Sequence, residues 1–287
     1  MKRLLPALAT TLFCVAASSL QAATLIQYNF DSPISNYVDS QLVNTSYADQ
    51  SGNGRTVNFN RVVSQSANDP FATSHPSVAN LDFGARTRYN AATAGSVTNL
   101  SGINLNTNKE FTMEGWVYLE GFTSISGSGV GGTIWSLSSS TGGTSLFALG
   151  YNSSGVVTAA FNARSQSDGT RNFTTSTTLS LNTWHHVAYV KTALDIRIYV
   201  DGVLVNTFSE VNITSRALPT ALSSASIGGN IFGTFDDFRL SDVALTADQL
   251  GYHEPFTVIP EPGLSLTLIG AGLMGGFTLV QRRRARR

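Results

Sequence analysis

Sulfur is nearly missing from this chain. Its one cysteine among 287 residues, Cys14, lies within an N-terminal stretch, MKRLLPALATTLFCVAASSLQAAT, that has the marks of a removable leader. The remaining protein therefore has no disulfide and no thiolate-bound metal. Phe13, just before that cysteine, is too bulky for a lipoprotein cleavage site. Charged residues are scarce too, at 13% of the chain. No long run has helical periodicity, which argues against a helical bundle or coiled coil. A phosphate loop and a dinucleotide fingerprint are both absent. Gly127-Ser128-Gly129 lies in a Gly/Ser-rich loop and lacks the strand-to-helix context that a nucleophile elbow needs.

What is present begins with the two ends. The leader combines Lys2 and Arg3, an apolar stretch from Leu4 to Ala17, and small residues at Ala22 and Ala23. That pattern predicts a signal peptide over residues 1–23, handled by the Sec machinery and cleaved after Ala22 or Ala23. The formal net charge of zero hides an asymmetry. Lys2, Arg3 and five C-terminal arginines carry seven of the eighteen basic charges, so 11 basic residues face 18 acidic ones between Thr24 and Pro262. An acidic exported body is poorly suited to nucleic acid.

The C-terminal segment, residues 256–287, has three parts: Pro260-Glu261-Pro262, an apolar run from Gly263 to Val280, and the cluster Arg282, Arg283, Arg284, Arg286 and Arg287. Eighteen residues at a helical rise of ~1.5 Å reach roughly 27 Å, just short of a ~30 Å hydrocarbon core. The positive-inside bias holds the arginines in the cytoplasm and places the body outside, in agreement with the leader. The segment reads either as an ordinary single-helix anchor or as an address. In its three-part order it resembles the PEP-CTERM sorting signal of Gram-negative exopolysaccharide producers. The resemblance implies recognition by an inner-membrane exosortase, cleavage close to Pro-Glu-Pro, and release of the body to the cell surface or extracellular matrix.

Between the ends, β-branched and aromatic residues form short runs. Phe111-Thr112-Met113-Glu114-Gly115-Trp116-Val117-Tyr118-Leu119 alternates strictly, with Phe111, Met113, Gly115, Val117 and Leu119 on one face and Thr112, Glu114, Trp116 and Tyr118 on the other. Two further runs flank Asp201-Gly202, a pair that suits a type I′ hairpin. TLIQYNF, SVANLDF, TIWSL, SLFALGY, VVTAAFN, WHHVAYVK, SASIGG and FDDFRL add more strands. Ten to fourteen short strands predict an all-β fold, a two-sheet antiparallel sandwich. The one helical signal late in the body is short, Ala247 to Leu250 after a Thr246 N-cap.

Several stretches, in order, resemble the laminin-G-like, concanavalin A-like jelly roll. They are Tyr28-Asn29-Phe30-Asp31, Asp49-Gln50-Ser51-Gly52-Asn53-Gly54, the Phe111 strand, Asn182-Thr183-Trp184-His185-His186-Val187-Ala188, Ile198-Tyr199-Val200-Asp201-Gly202, and Phe235-Asp236-Asp237-Phe238-Arg239-Leu240 with Ala244-Leu245-Thr246. The resemblance implies one such domain over residues 24–255, with its first and last strands paired. It also implies a calcium ion held between the final strand and the early turn, which nominates Asp49 and Asp236, with Asp31 and the Asn53 carbonyl as further ligands. Carboxylates and carbonyls suit that hard cation. The alternative is that Asp49 caps a turn and needs no ion. The insertion between Asn60 and Val78 departs from the pattern.

Chemistry is otherwise thin. His185 and His186 are adjacent, so on a strand they point to opposite faces and cannot share one metal. Glycosidases need two carboxyls across a cleft, and the Glu-x-Asp-x-Glu of concanavalin-like hydrolases is absent. Glu114 stands alone in its strand and reads as forming a hydrogen bond or salt bridge on the sheet surface, while Asp195 and Asp201 sit at hairpin ends. Trp116, Tyr118, Trp135, Tyr151 and Tyr199 are sugar-platform candidates that could equally be core. The expectation is a noncatalytic surface or matrix protein that binds a polysaccharide or a surface protein. The alternatives are a glycan hydrolase or lyase, and an inert structural protein.

Overall fold

The computed structural model describes residues 23–30, 45–59, 63–66, 84–87, 95–107, 109–122, 131–139, 145–162, 171–209, 218–229 and 231–252. Among these residues sixteen strands run in chain order. They are β1 (Thr24–Tyr28), β2 (Thr45–Tyr47), β3 (Val57–Phe59), β4 (Val63–Ser66), β5 (Gly84–Thr87), β6 (Gly95–Val97), β7 (Phe111–Gly121) and β8 (Thr133–Ser139). The second half adds β9 (Ser145–Tyr151), β10 (Val156–Asn162), β11 (Arg171–Thr178), β12 (Trp184–Lys191), β13 (Ile196–Val200), β14 (Val203–Phe208), β15 (Ser224–Gly229) and β16 (Phe232–Ser241). The count exceeds the expected ten to fourteen because β2 to β6 are pieces of three or four residues, too short for alternation to reveal. SVANLDF, the leader up to Ala22 and the C-terminal segment lie outside the described residues.

Two eight-stranded sheets form the jelly roll. One has the order β14-β13-β12-β7-β16-β5-β4, with β1 also on β16; the other is β11-β10-β9-β8-β15-β6-β3-β2. The first strand pairs with the last, Tyr28 opposite Phe238. Alternation explains the core between the sheets: Phe111, Met113, Val117 and Leu119 of β7 meet Val187 and Tyr189 of β12 and Trp135, Phe147 and Phe161 of the facing sheet. Each such side chain contributes about 1.5–3 kcal/mol by leaving water. Edge-on aromatic contacts fix the packing, as with Phe111 on Phe147 at 5.2 Å and Trp135 on Phe238 at 5.3 Å. Gly115 breaks the inner row of β7 for a steric reason, because a Cβ there would lie 2.9 Å from the Phe238 ring.

Two turns behave as their residues dictate. Asp201 and Gly202 both take positive φ, 51° and 74°, the type I′ geometry that joins β13 to β14. In β16 the pairing with β7 slips between Asp236, opposite Trp116, and Arg239, opposite Glu114. Asp237, at φ 46°, lies within that bulge. The extra residue keeps Phe235 and Phe238 in the core while setting Arg239 beside Glu114. At the sandwich edge, β11 and β14 meet where Phe173 stacks on Phe208 at 4.4 Å.

Candidate ligand-binding face

The outer face of the β12–β7–β16 region divides into two parts. Thr112, Glu114 and Trp116 of β7 face outward, as do His186, Ala188 and Val190 of β12, yet all are buried. The cover is the chain after β16. Leu245 and Leu250 pack on Ala188, Val190 and Tyr199, and Tyr252 stacks on Trp116 with centroids 5.7 Å apart. The expected short helix is a 3-10 turn, Ala247–Gln249, held by Thr246 N donating to Gln249 Oε1 at 3.0 Å.

Beneath this strap lies a buried charge cluster. Arg239 donates from Nε to Glu114 Oε1 at 2.6 Å and also pairs with it through Nη2. Gly251 N donates to Oε2 at 2.8 Å. His186 Nε2 lies 3.2 Å from the same oxygen, at ion-pair distance but without hydrogen-bond alignment. Burial pushes the Glu114 carboxyl up, but His186, Arg239 and the Gly251 N–H together outweigh it and hold the group below the usual carboxylate range. The hydrogen bond or salt bridge expected of Glu114 is therefore present, and only its exposure on the sheet surface is corrected. Its side chain is fully enclosed because a segment from the far end of the domain covers it. Enclosed and paired, it is not placed to act on a glycosidic bond. Asp195 accepts from Thr192 Oγ1 at 2.7 Å and pairs with Arg197.

Beyond the strap, the same two strands present Tyr118 and Trp184, which stand directly opposite each other. Both are half-buried, with ring centroids 5.7 Å apart and planes inclined at 58°. Of the five aromatics proposed from sequence, Trp116, Trp135, Tyr151 and Tyr199 are buried; only Tyr118 keeps a partly open ring. Trp184 was missed, although its outward parity with His186 could have been read from the strand.

A third constellation, also unforeseen, joins the loop before β12 to the β13–β14 turn. His185 Nδ1 is 2.8 Å from Asp201 Oδ2, and Asp201 Oδ1 accepts from His186 N at 2.9 Å. On its other side, His185 Nε2 accepts from Ser180 N at 3.0 Å and lies 2.7 Å from Ser180 Oγ. The order serine, histidine, aspartate imitates a hydrolytic triad. A backbone N–H can only donate, so it already occupies the one lone pair that a nucleophilic serine would need. The cluster is a clamp on the loop before β12.

The proposed calcium ligands are differently placed. Asp49 Oδ1 accepts from Gln27 N and Ser51 N, both at 3.0 Å, while Oδ2 accepts from Ser51 Oγ at 2.8 Å and Arg55 N at 3.1 Å. Four donors fill this carboxylate, which fits the turn cap and does not fit an ion ligand unless those bonds are given up. Asn53 spends its side-chain amide on the Thr24 carbonyl at 3.0 Å. Asp236 is buried and accepts from Asp237 N at 2.8 Å. Among the described residues no three His, Cys, Asp or Glu side chains converge. Asp31, Pro260, Glu261, Pro262 and the five tail arginines lie outside those residues. Among the described residues no helix is long and apolar enough to cross a membrane.

The profile of the laminin G type 3 family, within the concanavalin A-like lectin/glucanases superfamily, matches residues 90–251, more than half of the chain. The chain belongs to this family. No curated protein matches it by sequence. Among solved structures, domain 4 of the GH43 extracellular arabinanase AbnA from Geobacillus stearothermophilus, in complex with arabinotriose, is 17% identical. It superposes with a TM-score of 0.53 over 79% of this chain and 96% of that one. The binding domain of Paraclostridial Mosquitocidal Protein 1 is 14% identical, with a TM-score of 0.54, covering 79% of this chain and 50% of its own. A botulinum neurotoxin type C structure, from work on cell entry through two ganglioside molecules, is 14% identical at TM-score 0.52, with 79% and 49% covered. This chain thus spans about half the length of the toxin structures. At these identities the likeness shows the fold of the laminin G type 3 domain, and these neighbours are mainly binding domains within a superfamily that also contains glycosidases.

Proposed function

We propose that the laminin G type 3 domain is a noncatalytic carbohydrate-binding module whose platform is the Tyr118–Trp184 pair. The observation that carries this reading is the pair itself: two cross-strand aromatics, half-open, on a face where Trp116 and Tyr199 are buried beneath the strap. Inclined rings offer two apolar surfaces to the C–H faces of a sugar, while the indole N–H and phenol O–H supply polar edges. The engagement of Glu114, Asp195 and Asp201 by internal partners supports binding over hydrolysis. Affinity electrophoresis in arabinan, xylan and alginate gels tests it. The protein should be retarded in at least one gel, and Trp184→Ala should lose that retardation with its melting curve preserved. Equal mobility in every gel would sink the proposal.

The setting we propose is the exopolysaccharide layer of a Gram-negative cell, reached through Sec export and exosortase processing at Pro260-Glu261-Pro262. Ala23 sharpens the first cut. Its N–H donates to Asp242 Oδ1 at 2.9 Å, and its carbonyl accepts from Asp242 N at 3.2 Å. Cleavage after Ala22 would leave an α-ammonium facing that carboxylate, whereas cleavage after Ala23 would discard both bonds. Mass spectrometry of the surface form should find Ala23 first and a C-terminus close to Pro260. A chain intact through Arg287 would refute the sorting role.

A further inference from the structure

We infer that His185 is a positioning residue for the platform: as a neutral ring it clamps the loop that delivers Trp184, and its protonation releases that loop. The inference rests on the reading of Trp184 as the ligand-binding ring. Ser180 N–H can only donate, so Nε2 must carry a lone pair and the proton must be on Nδ1, facing Asp201. Among the described residues the loop is tied at three points. Leu179 N donates to Gly155 O at 2.9 Å and Asn182 N to Leu119 O at 2.8 Å, one residue beyond Tyr118. The third is the His185 bond, and it alone among them can titrate.

Added protons have a defined sign here. An imidazolium keeps Nδ1–H on Asp201 and gains attraction to that carboxylate, so the ring stays. Its new Nε2–H then confronts the Ser180 N–H and can donate only to Ser180 Oγ, 2.7 Å away, so the backbone bond holding the loop is lost and only a side-chain contact replaces it. Asp201 is the charged group facing the ring from the β13–β14 turn. Ser180, Asn182 and Thr183 of the loop do not titrate. Val117 of β7 stands opposite His185, with Tyr118 and Glu120 further along that strand. On the same strand His186 points to the other face, toward Glu114, Arg239 and Tyr252. The test therefore compares pH 8 with pH 5, a range over which histidine is the side chain that ordinarily changes charge.

The test has one arm without ligand and one with it. In the free protein at pH 8, imidazole nitrogen NMR should report Nδ1–H for His185. On acidification to pH 5 the Ser180 amide and Trp184 indole signals should move together with the ring. His185→Gln, whose side-chain oxygen still accepts but does not titrate, should abolish the movement, whereas Ser180→Ala, which keeps the N–H, should retain it. A proton on Nε2 at pH 8, or a response that persists in His185→Gln and so belongs to His186 or Glu114, overturns the clamp. In arabinan gels the wild type should bind roughly fivefold more weakly at pH 5 than at pH 8, the effect of one lost hydrogen bond, and His185→Gln should show no such difference. Retardation at neither pH would remove the arabinan reading alone, and the amide and indole signals would still decide the clamp.

Discussion

The two ends of the outer face on β7 and β12 make an instructive contrast. At one end Glu114, Trp116 and His186 are sealed beneath residues 242–252; at the other, Tyr118 and Trp184 belong to the same strands with the same parity and stay half-open. Residue type does not separate them, since each end has a tryptophan beside a polar or aromatic partner. What separates them is cover. A tryptophan under the strap is buried and donates to Gly251 O at 3.4 Å, whereas one beyond it stays half-open. An aromatic on a β-sandwich therefore acquires its role from what crosses over it, and that is a property of the whole chain.

The largest effect should come from the sealed end. Glu114→Ala takes the shared carboxylate away from Arg239 and His186 under the strap and should cost about 3–5 kcal/mol in urea unfolding, with glycan retention unchanged in whatever fraction stays folded. The same carboxylate sets an acid limit. Because its folded pKa lies below the ordinary value of 4.5, its contribution is complete above that pH and is lost as pH falls through the depressed value. Stability followed from pH 6 to pH 3 should therefore fall less steeply in Glu114→Gln than in wild type. Trp116→Ala opens a cavity between the sheet and Tyr252 and should cost about 3 kcal/mol.

Much of this contrast could be read from the sequence, and the unread part has one cause. Alternation in β7 assigned the inner and outer rows correctly, and Asp201-Gly202 announced its hairpin, because both are local properties of a few adjacent residues. That Glu114 is buried could not be read, since its partners Arg239 and Gly251 come more than a hundred positions later in the chain. The Ser180–His185–Asp201 clamp was hidden for the same reason: it joins a loop, a strand and a hairpin tip. Strand β11, RNFTTSTT, escaped notice because threonines fill it and only Phe173 and Thr175 of the strand are buried. Trp184 lay within reach, but its first position in a strand obscured its parity.

Away from the outer face, Asp49 provides a smaller test. Asp49→Ala removes the acceptor for four donors and should cost about 2 kcal/mol. Chelation with EDTA should leave the wild-type melting temperature unchanged if the turn cap is the whole of its role, and a fall on chelation would restore the ion. The smallest stability effect belongs to the open end, where Trp184→Ala should cost about 1 kcal/mol or less while changing binding the most.

The central claim is that the uncovered end of the sheet is where sugar binds. Its most direct test is a paired measurement on one protein preparation, Trp184→Ala against Trp116→Ala, each followed by thermal melting and by retardation in polysaccharide gels. The account predicts that Trp184→Ala keeps its melting temperature and loses retardation, while Trp116→Ala loses melting temperature and keeps retardation below its transition. Retardation that survives Trp184→Ala, or that disappears with Trp116→Ala in a still-folded protein, would contradict it.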